Sequence, residues 1–206
     1  EESLGCHAFM KWLATFLLSS IGRKAVMAVT GMGLVGFVLG HMAGNLQIFL
    51  GPEKLNAYAA FLKSMPGPLW GARLSLLACV GLHFATALSL YLENRAARPV
   101  GYHSQEFIRT TYAARTMIWG GPIVACFVVY HILHLTIGAT GPAGFSHTDV
   151  YANVVRGFRV PAISSFYILA MAALALHLYH GVWSMFQTLG VNHTRYNALF
   201  QAASIL

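Results

Sequence analysis

The chain has 206 residues, of which 57% are hydrophobic and 9% charged. An ordinary soluble domain is about 45–50% apolar and about 25% charged. The 13 basic and 6 acidic residues present therefore argue against a soluble globular enzyme, and the apolar content argues against intrinsic disorder. The net charge of +7 sits in basic residues lying between long apolar runs. That pattern points to membrane topology rather than to nucleic-acid binding. Cys6, Cys79 and Cys126 form no motif and imply no disulfide framework.

Four stretches lack charge and are long enough to cross a hydrocarbon core, which takes roughly 20 helical residues. They are Ala25 to Leu50, Leu74 to Leu92, Thr116 to about Gly138, and Pro161 to about Gly190. None alternates as a barrel strand would. The expected fold is an all-α integral membrane helical bundle, with four complete transmembrane helices and the start of a fifth. In chain order it reads as one membrane-anchor domain over 1–206, beginning with an interfacial segment at 1–23. Transmembrane helices follow at 24–50, 71–96, 112–138 and 161–190, and the start of a fifth helix at 195–206. Around Lys11-Trp12-Leu13 the first segment has the character of an interfacial helix. A cleavable signal peptide fits poorly, because acids open the chain. The chain stops near the start of the apolar segment Asn197-Ala198-Leu199-Phe200, so either the protein ends there or a fifth helix follows it.

With four spans, Lys11, Arg23, Lys24, Arg95, Arg98, Arg109, Arg115 and Arg195 fall on one side, eight in all. Lys54, Lys63, Arg73, Arg156 and Arg159, five in all, fall on the other. The positive-inside rule then puts both ends of the chain in the cytoplasm.

Ten histidines against six acids is the unusual ratio. Each span contains histidine: His41 in the first, His83 in the second, His131 and His134 in the third, His177 and His180 in the fourth. One intramembrane histidine is readily explained by an interhelical hydrogen bond; four helices bearing one or two each are not. At about 1.5 Å of rise per residue, His41 and His131 lie roughly 27 and 24 Å from the cytoplasmic edge, and His83 and His177 roughly 15 and 20 Å. The depths sort into an outer pair on helices one and three and an inner pair on helices two and four. Zinc takes three or four N, S or O ligands, and a carboxylate di-iron site needs glutamates on the helices; no charge-free span contains an Asp or Glu to complete either site. Haem needs only two axial ligands beyond its own four nitrogens. Two b-type haems fit this inventory, and the absence of Cys-x-x-Cys-His argues against covalent attachment.

Other features are compatible with haem without requiring it. Gly36, Gly40 and Gly44 repeat every four residues, with Gly33 nearby. Such a face admits a neighbouring helix or a porphyrin. Arg23 and Arg115 at cytoplasmic helix ends serve equally as topological anchors or as partners of haem propionates. His134 and His180 each follow another histidine by three positions and share its face. Spacing leaves open which member of each pair is the ligand, and which one contacts a propionate or a quinone.

The motifs resemble those of the single-chain, five-helix, di-haem cytochrome b membrane anchor of bacterial succinate dehydrogenase and fumarate reductase. The matching pieces begin with Ser19-Ser20-Ile21-Gly22-Arg23-Lys24, His41-Met42-Ala43-Gly44-Asn45-Leu46, Leu55-Asn56-Ala57-Tyr58 and Ser64-Met65-Pro66. They continue with Tyr91-Leu92-Glu93-Asn94-Arg95-Ala96-Ala97-Arg98-Pro99 and Arg115-Thr116-Met117-Ile118-Trp119. Tyr130-His131-Ile132-Leu133-His134 and Leu176-His177-Leu178-Tyr179-His180-Gly181-Val182-Trp183-Ser184 complete the set. The likeness covers nearly the whole chain from about residue 10.

The resemblance implies axial ligands His41 with His131 and His83 with His177. The family's fourth-helix ligand stands four before the Gly of Gly-x-Trp, which selects His177 over His180. It also implies cofactor contacts from Ser20, Arg23, Arg115, His134 and His180. Its partners are a flavoprotein subunit and an iron–sulfur subunit docked on the cytoplasmic face, quinone (often menaquinone), membrane lipid and further copies of the complex, with no nucleic acid. The chain would be the electron-transfer subunit of a tricarboxylic acid cycle enzyme in the bacterial cytoplasmic membrane and would not itself bind the dicarboxylate. Its cofactors would be two haem b groups and a quinone. Moving one electron across the bilayer would cost about 2.3 kcal/mol per 100 mV crossed. The family's acid near the outer haem has no assigned counterpart here; Glu53 is the one glutamate in that connection. Two other classes stay open at this level: a di-haem anchor of another quinone-linked dehydrogenase, and a haem-free transporter whose histidines relay protons.

Overall fold

A computed structural model describes residues 2–98, 100, 111–191 and 193–203. Pro99 of the motif set, Arg109 of the topology count and residues 204–206 of the expected fifth helix lie outside the described residues.

Among the described residues eight α-helices follow one another: α1 (Glu2–Leu18), α2 (Ser20–Asn45), α3 (Pro52–Lys63), α4 (Pro66–Ala96), α5 (Tyr112–Ile132), α6 (Val150–Phe158), α7 (Pro161–Thr188) and α8 (Thr194–Ala203). A 3₁₀ turn, Leu46–Leu50, prolongs α2, and a π-helical turn, Leu133–Ile137, prolongs α5. Among the described residues four segments are long and apolar enough to cross a membrane: Ser20–Leu50, Pro66–Ala96, Tyr112–Ile137 and Pro161–Thr188. The all-α class with four such helices is as expected, and no strand occurs among the described residues.

The helix ends have local causes. Ser19 separates α1 from α2, and its hydroxyl accepts the Gly22 N–H at 3.0 Å, as an N-cap does. A Cβ on Gly22 would stand 1.9 Å from the Phe16 carbonyl oxygen, so the turn requires glycine. Phe9, Trp12 and Phe16 follow one another along one exposed face of α1, with ring centroids 6.1 and 5.9 Å apart. Helix α4 starts at Pro66, ahead of the charge-free run. Pro66 and Pro68 both fall in its first turn, where a missing N–H costs nothing. Thr111 caps α5 by accepting Ala114 N–H at 3.2 Å. After the π turn the chain leaves through Gly138 at φ 77, where a Cβ would lie 2.3 Å from the Phe145 ring.

The chain divides into two compact units. The first comprises the described residues within 1–34, 75–109 and 181–206, the second those within 35–74 and 110–180. In the first, Arg23 of α2 forms an ion pair with Glu93 of α4 at 2.6 Å. The second has a small aromatic core of Phe127, Tyr167 and Ala170, flanked by Tyr130, Leu135 and Ile163. It also joins two extramembrane connections through α3 and α6. Asn56 donates to Asp149 Oδ1 at 3.0 Å and accepts the Tyr151 N–H at 3.0 Å. Lys63 donates to the His147 carbonyl, and Asn153 exchanges two hydrogen bonds with Ser146. The Leu55-Asn56-Ala57-Tyr58 motif thus serves the architecture, since Leu55 is buried, Asn56 clasps α6, and Tyr58 packs on Gly44.

Candidate haem-binding site

In the second unit His41 and His131, on different spans, face each other with ring centroids 5.8 Å apart and planes at 84°. Each ring has a phenylalanine one turn earlier on its own helix: Phe37 lies 5.2 Å from His41, and Phe127 lies 5.8 Å from His131. Two imidazoles bonded through nitrogen to one metal ion at about 2.0 Å each have ring centres roughly 6 Å apart. The observed separation of 5.8 Å is close to that distance. Among the described residues no group of three or more His, Cys, Asp or Glu side chains gathers into a metal site. A histidine pair by itself suits a cofactor that brings its own equatorial donors, as porphyrin does.

The nitrogen of His131 that would face away from a metal has a partner. Its Nδ1 lies 3.4 Å from the Tyr167 hydroxyl, and the same hydroxyl lies 3.0 Å from His134 Nδ1. His134 is only 3% exposed. A Cβ at Gly141 or Gly157 would stand 2.7 or 2.6 Å from its ring; these glycines admit the imidazole. Beyond it lies a water-sized polar cavity lined by Thr140, Pro142, Phe145, Asn153 and Arg156.

In the first unit His83 is held differently. Its Nδ1 lies 3.1 Å from the Met27 carbonyl and 3.4 Å from Thr30 Oγ1. The Thr30 hydroxyl donates to Val26 O at 2.7 Å and is the farther acceptor, so the nearer Met27 carbonyl is the main hold on the ring. Nδ1–H donates to that carbonyl, and the lone pair falls on Nε2, the arrangement usual for a metal-binding histidine. A Cβ on Gly31 would touch His83 Cε1 at 3.3 Å.

His177 and His180 stand half-buried on α7, in the second unit. Ser20 is exposed at the start of α2, Arg23 is engaged by Glu93, and Arg115 is exposed in the first turn of α5. The glycine repeat divides. Gly44 is explained by Tyr58, and Gly33 has Cys79 Sγ 3.8 Å from its Cβ position. Among the described residues, a Cβ at Gly36 or Gly40, five residues and one residue before His41, would meet nothing within 4 Å. Outside the spans, Asp149 caps α6. The Asn56 amide, then the Ala152 N–H, then the Arg156 charge hold its carboxyl below the usual range.

Sequence reasoning missed Tyr167, Glu93 and the glycine pair around His134. Tyr167 had a usable signal: a hydroxyl inside an apolar span needs a partner, and the nearby histidines are candidates.

No family model and no solved structure matches the chain. A succinate dehydrogenase cytochrome b558 subunit from Bacillus subtilis (strain 168) is 25% identical over 170 residues, covering 82% of this chain and 79% of that protein. The resemblance read from the motifs is to this kind of protein, and the four apolar helices agree with a multi-pass membrane protein.

Proposed function

We propose that this chain is the di-haem cytochrome b membrane anchor of a succinate:quinone oxidoreductase. One observation carries the reading: two histidines from separate spans meet at 5.8 Å with no third donor of a metal cluster among the described residues. The similarity to a succinate dehydrogenase cytochrome b558 subunit supports the choice of complex.

In this reading His41 and His131 hold one haem b, and His83 and His177 hold the second. Bound haem supplies reversible one-electron chemistry at its iron. The chain's own residues prepare the ligands. The Met27 carbonyl orients His83 so that Nε2 presents its lone pair, and Gly36 and Gly40 leave a flat face beside His41. His134 and His180 are contacts of the cofactor region rather than ligands. Ser20, Arg23 and Arg115 begin helices on the proposed cytoplasmic side, where propionates and the soluble subunits are expected. The flavoprotein and iron–sulfur partners carry out the dicarboxylate chemistry, and a quinone, menaquinone in the family pattern, exchanges electrons with the anchor.

Purification of the chain from its native membrane in mild detergent tests the proposal. A flavoprotein and an iron–sulfur protein should accompany it, with succinate–quinone activity. A haem-bearing preparation that brings down a different dehydrogenase would contradict it.

A further inference from the structure

Tyr167 is 7% exposed and lies within an apolar helix. A buried phenol needs a hydrogen-bond partner, and this one has two ring nitrogens in reach, His134 Nδ1 at 3.0 Å and His131 Nδ1 at 3.4 Å. A hydroxyl donates one proton and can accept at two lone pairs; where the phenol gives its proton to one of these two rings, two orders are possible. In one, His131 Nδ1–H donates to the Tyr167 oxygen and Tyr167 O–H donates to His134 Nδ1. In the other, the order is reversed, the His131 proton sits on Nε2, and that nitrogen is closed to a metal. Ligation through His131 Nε2 is compatible only with the first order.

We infer that Tyr167 is the positioning residue of the His131 ligand, holding its Nδ1–H with an oxygen whose own proton is committed to His134. The inference rests on the reading of His131 as an axial ligand. Packing keeps the chain of donors in place. The Phe158 ring lies 4.7 Å from Tyr167 and the Phe127 ring 5.2 Å from it, while Gly141 and Gly157 close on His134. These contacts restrict both the phenol and the terminal imidazole. A hydroxyl that donates becomes a better acceptor, and a stronger bond at the far nitrogen makes an imidazole a more basic ligand. Tyr167 therefore favours the ferric state of the group held by His41 and His131, and His134 acts through it.

The test uses the purified complex with its haems, comparing wild type with Tyr167→Phe and His134→Leu. Haem content, optical redox titration and low-temperature electron paramagnetic resonance are the readouts. Tyr167→Phe should retain about two haems per chain. One midpoint should rise by about tenfold in the ferrous-to-ferric ratio, which is about 59 mV for a one-electron couple. The other midpoint should stay in place, and only the affected haem should change its resonance. His134→Leu should move the same midpoint in the same direction by less, and it decides the question if Tyr167→Phe does not assemble. Two bound haems with unchanged midpoints in the assembled variants overturn the inference and leave the di-haem reading standing. A wild-type complex without haem removes that reading, and the inference with it.

Discussion

His83 and His131 occupy comparable places in their two units, each with Nδ1 engaged, yet the partners differ in kind. Met27 offers a backbone carbonyl to His83 at 3.1 Å. His131 instead meets the Tyr167 side chain, which itself leans on His134. A carbonyl in a helix is fixed by the backbone and survives any side-chain substitution. A tyrosine–histidine relay is adjustable, because its strength depends on two replaceable residues. The orientation of the first histidine is thus built into the helix, while that of the second is set by side-chain chemistry.

The largest effect bears on which α7 histidine is a haem ligand in the proposed reading. His177→Ala should remove one of two haems, while His180→Ala should keep both with at most a shifted potential. Quantitation of haem per protein checks this, and the reverse pattern would reassign the ligand.

Next comes the room around each ring. Gly157→Ala puts a methyl 2.6 Å from His134 Nε2, so the buried ring or the helix must shift. It should cost about 1–3 kcal/mol, seen as a lower thermal midpoint in detergent. Gly31→Ala meets His83 Cε1 at 3.3 Å, a clash relieved by a few tenths of an ångström. Its expected signature is a changed haem spectrum with a nearly unchanged midpoint of unfolding.

Thr30→Ala is a finer contrast. Its hydroxyl is the farther of two acceptors, 3.4 Å from His83 Nδ1 against 3.1 Å for the Met27 carbonyl, so the potential associated with His83 should shift less than that associated with His131 does in Tyr167→Phe. A comparable shift would show that Thr30, not the Met27 carbonyl, orients His83.

The smallest effect is at Asp149. Its folded pKa lies below the ordinary carboxyl value of 3.8, first because of the Asn56 amide. A carboxyl depressed on folding contributes stability above its unfolded pKa, and that contribution is lost as pH falls through the folded pKa. The difference in thermal midpoint between wild type and Asn56→Leu should therefore be constant near neutrality and shrink as pH falls below about 4. A difference that persists in acid would assign the stabilisation to packing of α3 on α6 instead.

The spans were legible because a charge-free run of helical length has few alternatives in a chain this apolar. The His41–His131 meeting followed from matched depth along two such runs. Other features depend on residues distant in sequence. Nothing near His134 announces that Gly141 and Gly157 will wall it in, or that a π turn will carry it there. The glycine repeat looked like one face, yet Tyr58, from the connection after α2, claims Gly44 alone. Arg23 stood out as a basic helix end, but its partner Glu93 lies 70 positions away.

The most direct test of the account is haem per chain in the purified protein, measured by haemochrome spectroscopy on wild type, His41→Ala and His131→Ala. The account predicts about two b-type haems with bis-histidine spectra in wild type, and the same single haem lost in either variant. Wild-type protein free of haem when made in haem-replete cells, or two variants that lose different haems, would contradict it.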